Sequence, residues 1–214
     1  MVPSRVRRIL QQRIPRLCAS VPSVLRIRAG CLITRISDQA AFHTVGLRRY
    51  QRQADHVPNT QAASETHYVL ALYTDVEHHN IMTSLRKRFF PARVNRLDAH
   101  VAMFRALPGS EMVGILKDLT SLTSSTPAFS VRTRETFRLS KGAAVNIDDG
   151  GHSQEIYENL RKSWYRFLSK QDQSYRPHYT VANKLKDEQD VQGCLVGMHK
   201  YFQVSEGSVE GLAL

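Results

Sequence analysis

Cysteine is scarce in this chain of 214 residues. Cys18, Cys31 and Cys194 are odd in number, lie far apart and form no Cys-x-x-Cys pair. That argues against a disulfide framework and a structural zinc site, and makes a reducing compartment the default. Long apolar runs are missing too. No eighteen consecutive residues are apolar, so no transmembrane helix is expected, and no membrane partner either. Acidic residues are scarce at one end: residues 1 to 66 hold eleven Arg against Asp38, Asp55 and Glu65, a net of +8. The rest carries nineteen basic side chains against sixteen acidic ones. Most of the formal +11 therefore lies ahead of the part that reads as folded. That mildly basic body suits a small anionic ligand as well as a long nucleic acid.

The first 36 residues contain eight Arg and no acid, interleaved with Ser, Ala, Leu, Ile and Val. Such leaders mark organellar presequences, so a mitochondrial location is expected. The alternative is a basic tail on a cytoplasmic protein. Arg13, Arg16, Arg26 and Arg28 interrupt any secretory apolar core, and Pro3, Pro15 and Pro22 limit a helix to pieces. Residues 37 to 66 read as a polar linker.

Regular structure starts at His67. His67 to Thr74 is apolar and rich in β-formers, hence a buried strand. Ile81, Leu85 and Phe89 at four-residue spacing predict a helix that Pro91 ends. A strand over about 99 to 106 follows, then a helix capped by Ser110 with Val113, Leu116 and Leu119 inward. Phe129 to Leu139 alternates as a half-buried strand whose outer face carries Arg132, Arg134 and Arg138. The order then repeats: a strand over 143 to 147, a glycine turn, a helix opened by Ser153, a strand at His178, a helix to about Phe202 and a last strand from Val209. Strand, helix, histidine strand, helix, strand thus occurs twice, which is evidence about architecture that no single motif supplies. The expected fold is α/β in the mixed, α+β sense. Two lobes, about 67 to 140 and 141 to 214, are related by a pseudo-twofold around a central cleft, with one histidine on each wall.

Those histidines open short apolar runs, Asp98-Ala99-His100-Val101-Ala102-Met103 and Arg176-Pro177-His178-Tyr179-Thr180-Val181. Strict alternation puts His178 with Thr180 on one face, and His100 with Ala102 and Phe104 on another, leaving Arg105 on the side away from His100. A single histidine at a strand start is more often structural than catalytic. Two at equivalent places in a repeat are what acid–base phosphoryl chemistry without a metal requires: one takes a proton from the attacking oxygen, the other returns one to the leaving oxygen. The Thr180 hydroxyl can donate to a nonbridging phosphate oxygen. The other candidates have blander readings. Arg132, Arg134 and Arg138 read as a solvated face, while His78, His79 and His152 lack ligand spacing. Tyr157, Trp164 and Tyr179 read as packing residues.

His178-Tyr179-Thr180-Val181 resembles the His-x-Thr-hydrophobic motif of the two-histidine (2H) phosphoesterase superfamily. The run from Ala99 to Gly109, with Leu107-Pro108-Gly109 at its end, resembles that family's first motif. The likeness spans about His67 to Leu214 and is nearest the 2',5' RNA ligase-like branch, especially its fungal members. It implies a bilobal fold and hydrolysis of 2',3'-cyclic phosphates, or related phosphodiesters of RNA ends and nucleotides, with no metal or other cofactor. Some relatives also seal RNA ends. Carried over by position, His100 and His178 are the acid–base pair and Thr180 a phosphate donor, in a protein expected to be a monomer. The chain departs from the pattern at Ala102, where the family has Thr or Ser. The missing charge-assisted hydrogen bond is worth roughly 1.5–3 kcal/mol, or about ten- to a hundredfold in rate. Arg176, in phase with His178, is the candidate for compensating charge, with a solvated charge beside Pro177 as its blander reading. Relatives tend to run past the point where this chain stops, at Leu214, which leaves the completeness of the last lobe open. Two rival readings remain: a catalytically impaired binder of phosphorylated RNA ends or nucleotides, and an RNA-associated protein acting through residues 1 to 66.

Overall fold

A computed structural model describes residues 26–27, 56–60 and 65–214. Nearly all of the basic leader and most of the linker lie outside the described residues. In chain order the elements are β1 (Arg26–Ile27), β2 (His67–Thr74), α1 (Val76–Phe89), β3 (Val101–Pro108), α2 (Met112–Ser125) and β4 (Phe129–Leu139). The second half holds β5 (Gly142–Asp148), α3 (His152–Trp164), β6 (His178–Ala182), α4 (Glu188–Tyr201) and β7 (Glu206–Ala213). The fold is α+β.

Local chemistry sets most of the boundaries. The Asp75 carboxylate caps α1 by accepting from His78 N at 2.9 Å, and Asp187 caps α4 by accepting from Asp190 N at 2.9 Å. Gly150 and Gly151 take φ of 68° and 86° ahead of α3, a region closed to most other residues. The Asp149 carboxylate accepts from Gly151 N and Ser153 N at that turn. Ser110 does not cap α2. A 3-10 turn, Gly109–Glu111, comes first, and Ser110 N donates to Glu65 Oε2 instead.

The inward stripes differ from the apolar spacing of the sequence. In α1, Met82 and Leu85 are buried together with His78 and Arg86, whereas Ile81 is 43% exposed. In α2, Ile115 and Leu119 face inward and Val113 is 87% exposed. Apolar residues lie around much of α2, and a count of apolar residues alone passes over buried polar ones such as His78 and Arg86. Trp164 and Tyr157 pack on Phe104 with ring centroids 5.2 and 5.1 Å apart, and Trp164 Nε1 donates to Asp118 Oδ2, tying α3 to α2.

Six strands form an antiparallel sheet in the order β3-β2-β7-β4-β5-β6, with β1 pairing parallel to β7 beside that path. The final strand of each half is exchanged: β7 pairs with β2, and β4 with β5, while β4 and β7 meet at the centre. Each side of the sheet therefore draws on both halves of the chain, and a pseudo-twofold relates β3 to β6. In a flat sheet these end strands would stand about 24 Å apart. They contact one another instead, so the sheet curves until its ends wall one cleft.

Candidate active site

The two histidines are held alike. His100 lies immediately before β3 and donates from Nδ1 to the Asp98 carbonyl at 2.8 Å. His178 opens β6 and donates from Nδ1 to the Arg176 carbonyl at 2.6 Å. A carbonyl only accepts, so each bond fixes the neutral proton on Nδ1 and leaves Nε2 as the nitrogen that titrates. Both side chains line one cleft of about 220 Å³ with Val69, Ala102, Arg105 and Thr180. Partial burial lowers the pKa of each below the usual imidazole range, against the pull of the carbonyl bond. Nearby arginines push the same way, Arg86 and Arg105 at His100, Arg105 and Arg176 at His178. A large share of neutral imidazole is thus available at neutral pH.

The strand beside His100 is irregular, and that changes which side chains enter the cleft. Tyr68 pairs with Leu107, Leu70 with Phe104 and Ala71 with Ala102, so β3 uses three residues where β2 uses two, then two where β2 uses one. These are two β-bulges, and each reverses the alternation after it. Phe104, expected beside His100, is fully buried, and Arg105, expected on the far side, lines the cleft. The Asp172 carboxylate accepts from the freed Arg105 N and Ala106 N at 2.8 and 2.9 Å.

On the other wall β6 is regular from His178 to Thr180, with its own register shift only beyond that point, and Thr180 shares the cleft with His178. A bulge in β4 between Thr133 and Thr136 brings Phe137 to this side, where its ring meets His178 edge-on at 5.6 Å. Arg176 stacks over Phe137 at 3.7 Å and donates from Nε and Nη2 to Asn146 Oδ1. Its guanidinium thus sits beside His178 and is not among the groups lining the cleft. Buried Arg86 joins the two walls. It donates to Asn95 Oδ1 and the Leu97 carbonyl just ahead of His100, and to the Thr180 carbonyl at 2.6 Å. The sequence pattern gives no sign of Arg86, and strict alternation sets Arg105 on the side away from His100, where the structure does not place it. An arginine inside an otherwise apolar run, as at 105, was the available signal.

The remaining candidates fall elsewhere. Arg132, Arg134 and Arg138 pair with Glu206, Asp148 and Glu188 rather than lining an open groove. His78 is buried with Nδ1 2.8 Å from Ser205 Oγ, and His152 stacks on Phe129. Tyr179 is buried 5.6 Å from the His78 ring. Larger hollows exist, about 390 Å³ between α1 and the end of α4, and about 650 Å³ beside β4 and the glycine turn. Neither sets two titratable imidazoles across from one another, so chemistry rather than size selects the smaller cleft. Among the described residues, no group of three His, Cys, Asp or Glu is arranged to hold a metal ion.

Residues 74–214, about two-thirds of the chain, match the model of a family described as the 2'-5' RNA ligase superfamily. Among solved structures, the crystal structure of TT0787 of Thermus thermophilus is similar. It is 17% identical with a TM-score of 0.49, the match covering 69% of this chain and 86% of that one. No curated protein matches the chain.

Proposed function

The chain belongs to the 2'-5' RNA ligase superfamily, and from that premise we propose that it is a metal-independent phosphodiesterase acting on 2',3'-cyclic phosphates of RNA ends or nucleotides. The observation that carries this reading is the matched pair of imidazoles, each with its proton fixed on Nδ1 and Nε2 free to titrate, on opposite walls of one cleft. One neutral Nε2 takes a proton from water as its oxygen attacks phosphorus. The other histidine, as imidazolium, gives its proton to the ribose oxygen that leaves, and the product is a phosphomonoester. The Thr180 hydroxyl, on the His178 wall, donates to a nonbridging oxygen, and Arg176 adds positive charge from beside His178. Joining ends through a 2',5' linkage would use the same two proton transfers with a ribose hydroxyl in place of water. The Leu107-Pro108-Gly109 and Arg176-Pro177-His178 runs favour kinship with fungal-type members.

One observation favours a second reading. Ala102 offers no hydroxyl on the His100 wall, which suits a binder of phosphorylated ends that has lost turnover. The full chain with cytidine 2',3'-cyclic phosphate in EDTA separates the two. Turnover that vanishes in His178→Ala is expected, and absent turnover, or turnover that survives the substitution, overturns the phosphodiesterase.

A further inference from the structure

The two walls of the cleft differ in their phosphate donors: Thr180 has a hydroxyl, and Ala102 has none. Arg105 stands three residues beyond Ala102 and lines the same cleft because the bulge between Ala102 and Phe104 reverses the alternation ahead of it. That arrangement is braced from behind. Asp172 is 1% exposed and its two carboxylate oxygens accept from Arg105 N and Ala106 N. Its own backbone is pinned in turn, Asp172 N donating to Ser169 Oγ at 3.2 Å and its carbonyl accepting from Tyr157 Oη at 3.0 Å. A buried carboxylate is costly unless fully bonded, so this one is committed to the bulge.

The guanidinium itself is uncommitted. Arg132, Arg134, Arg138, Arg161 and Arg166 pair with carboxylates, and Arg86 and Arg176 are bonded to amide or carbonyl oxygens. Arg105 has no carboxylate partner among the described residues, although it stands in a cleft where an unpaired cation has work only when an anion arrives. It lines the cleft with both His100 and His178, and its charge pushes the pKa of each down.

We propose that Arg105 is the phosphate-binding group of the His100 wall, supplying the donor that Ala102 lacks, and that Asp172 is the positioning residue that holds it in the cleft. The planar fork suits two nonbridging oxygens of one phosphoryl group, which a hydroxyl or an ammonium cannot match. This assignment rests on the phosphodiesterase reading for its kinetic consequences, but not for its binding ones.

The test uses the full chain and three readouts. Histidine NMR titration should show the pKa of both His100 and His178 rising in Arg105→Met, and less in Arg105→Lys. Affinity for cytidine 3'-monophosphate should fall at least tenfold in Arg105→Met. With cytidine 2',3'-cyclic phosphate, kcat/KM should fall ten- to a hundredfold in Arg105→Met, be partly kept by Arg105→Lys, and recover in part when Ala102→Thr is added. Asp172→Asn should weaken nucleotide affinity less than Arg105→Met and move both histidines in the same direction. Unchanged affinity for the monophosphate in Arg105→Met overturns the proposal, whether or not the histidines shift. If Arg105→Met does not fold, the same affinity comparison in Arg105→Lys decides. A wild-type chain that never turns over the cyclic nucleotide sinks the phosphodiesterase reading alone, and the monophosphate affinities still judge Arg105.

Discussion

The His100 wall and the His178 wall solve one problem with different parts. In each, the histidine donates from Nδ1 to the carbonyl two residues before it, and that local bond needs nothing from the rest of the fold. Beyond it the likeness ends. On the His178 side a strand that stays regular from His178 to Thr180 brings in a hydroxyl by simple alternation, and the neighbouring Arg176 is bound to Asn146 and Phe137. On the His100 side the strand bulges twice, alternation fails, and an arginine enters where a hydroxyl is missing. A pseudo-twofold thus preserves the two histidines and their carbonyl bonds better than the groups around them.

The largest expected effect tests whether the walls are equal where they look equal. His100→Ala and His178→Ala should each lower kcat/KM by about 10²- to 10⁴-fold, the usual contribution of a positioned general acid or base. Losses that differ by more than tenfold would break the equivalence. Because burial and then nearby arginines depress both pKa values, both limbs of the kcat/KM profile of the free enzyme should lie below the unperturbed imidazole value of 6.5. An acid limb centred above that value would mean that the cleft does not hold its imidazoles as described.

A smaller effect tests where the walls differ. Thr180→Val should cost about ten- to a hundredfold in kcat/KM, the worth of one hydrogen bond to a charged oxygen. Ala102→Thr in the otherwise unchanged chain should gain less than tenfold, since Arg105 already faces that side. A gain of a hundredfold from a near-zero baseline would instead favour the impaired binder.

The same contrast explains what the sequence made legible. The bounds of whole strands were legible: β2 runs from His67 to Thr74 and β4 from Phe129 to Leu139, as their apolar and alternating residues predict. Both histidines stand at strand starts facing one cleft. What failed did so by one residue. A bulge adds a single residue and reverses every side chain after it, so Phe104 and Arg105 traded places relative to a straight strand. The group that bonds the backbone freed there, Asp172, lies 67 residues away, where no local pattern reveals it. His78 and Arg86 were missed on α1 for a related reason: they are buried through partners contributed by distant strands and loops, Ser205 for one, Thr180 and Leu97 for the other. The exchange of β4 and β7 between the halves is likewise a property of pairing and leaves the order of elements unchanged.

The smallest effect concerns what stands behind each wall. A buried carboxylate, Asp172, braces β3, while a fully buried histidine, His78, packs against Tyr179 behind β6. Burial lowers the His78 pKa from its usual value of 6.5, against the pull of the Asp75 carboxylate. The folded state therefore binds its proton less readily than the unfolded chain does. The stability this gives is complete above the unfolded value and is lost as pH falls through the folded one. His100 and His178 shift in the same direction and add to the same acid sensitivity. Thermal unfolding at pH 7.5 and pH 5.5 should show the wild type losing Tm on acidification, at about 2–4 °C for each kcal/mol removed. His78→Asn keeps a polar group near Ser205 but cannot titrate, so it should unfold at a lower temperature at pH 7.5 and lose less Tm between the two conditions. An unchanged loss would place the acid-sensitive group in the cleft rather than behind β6.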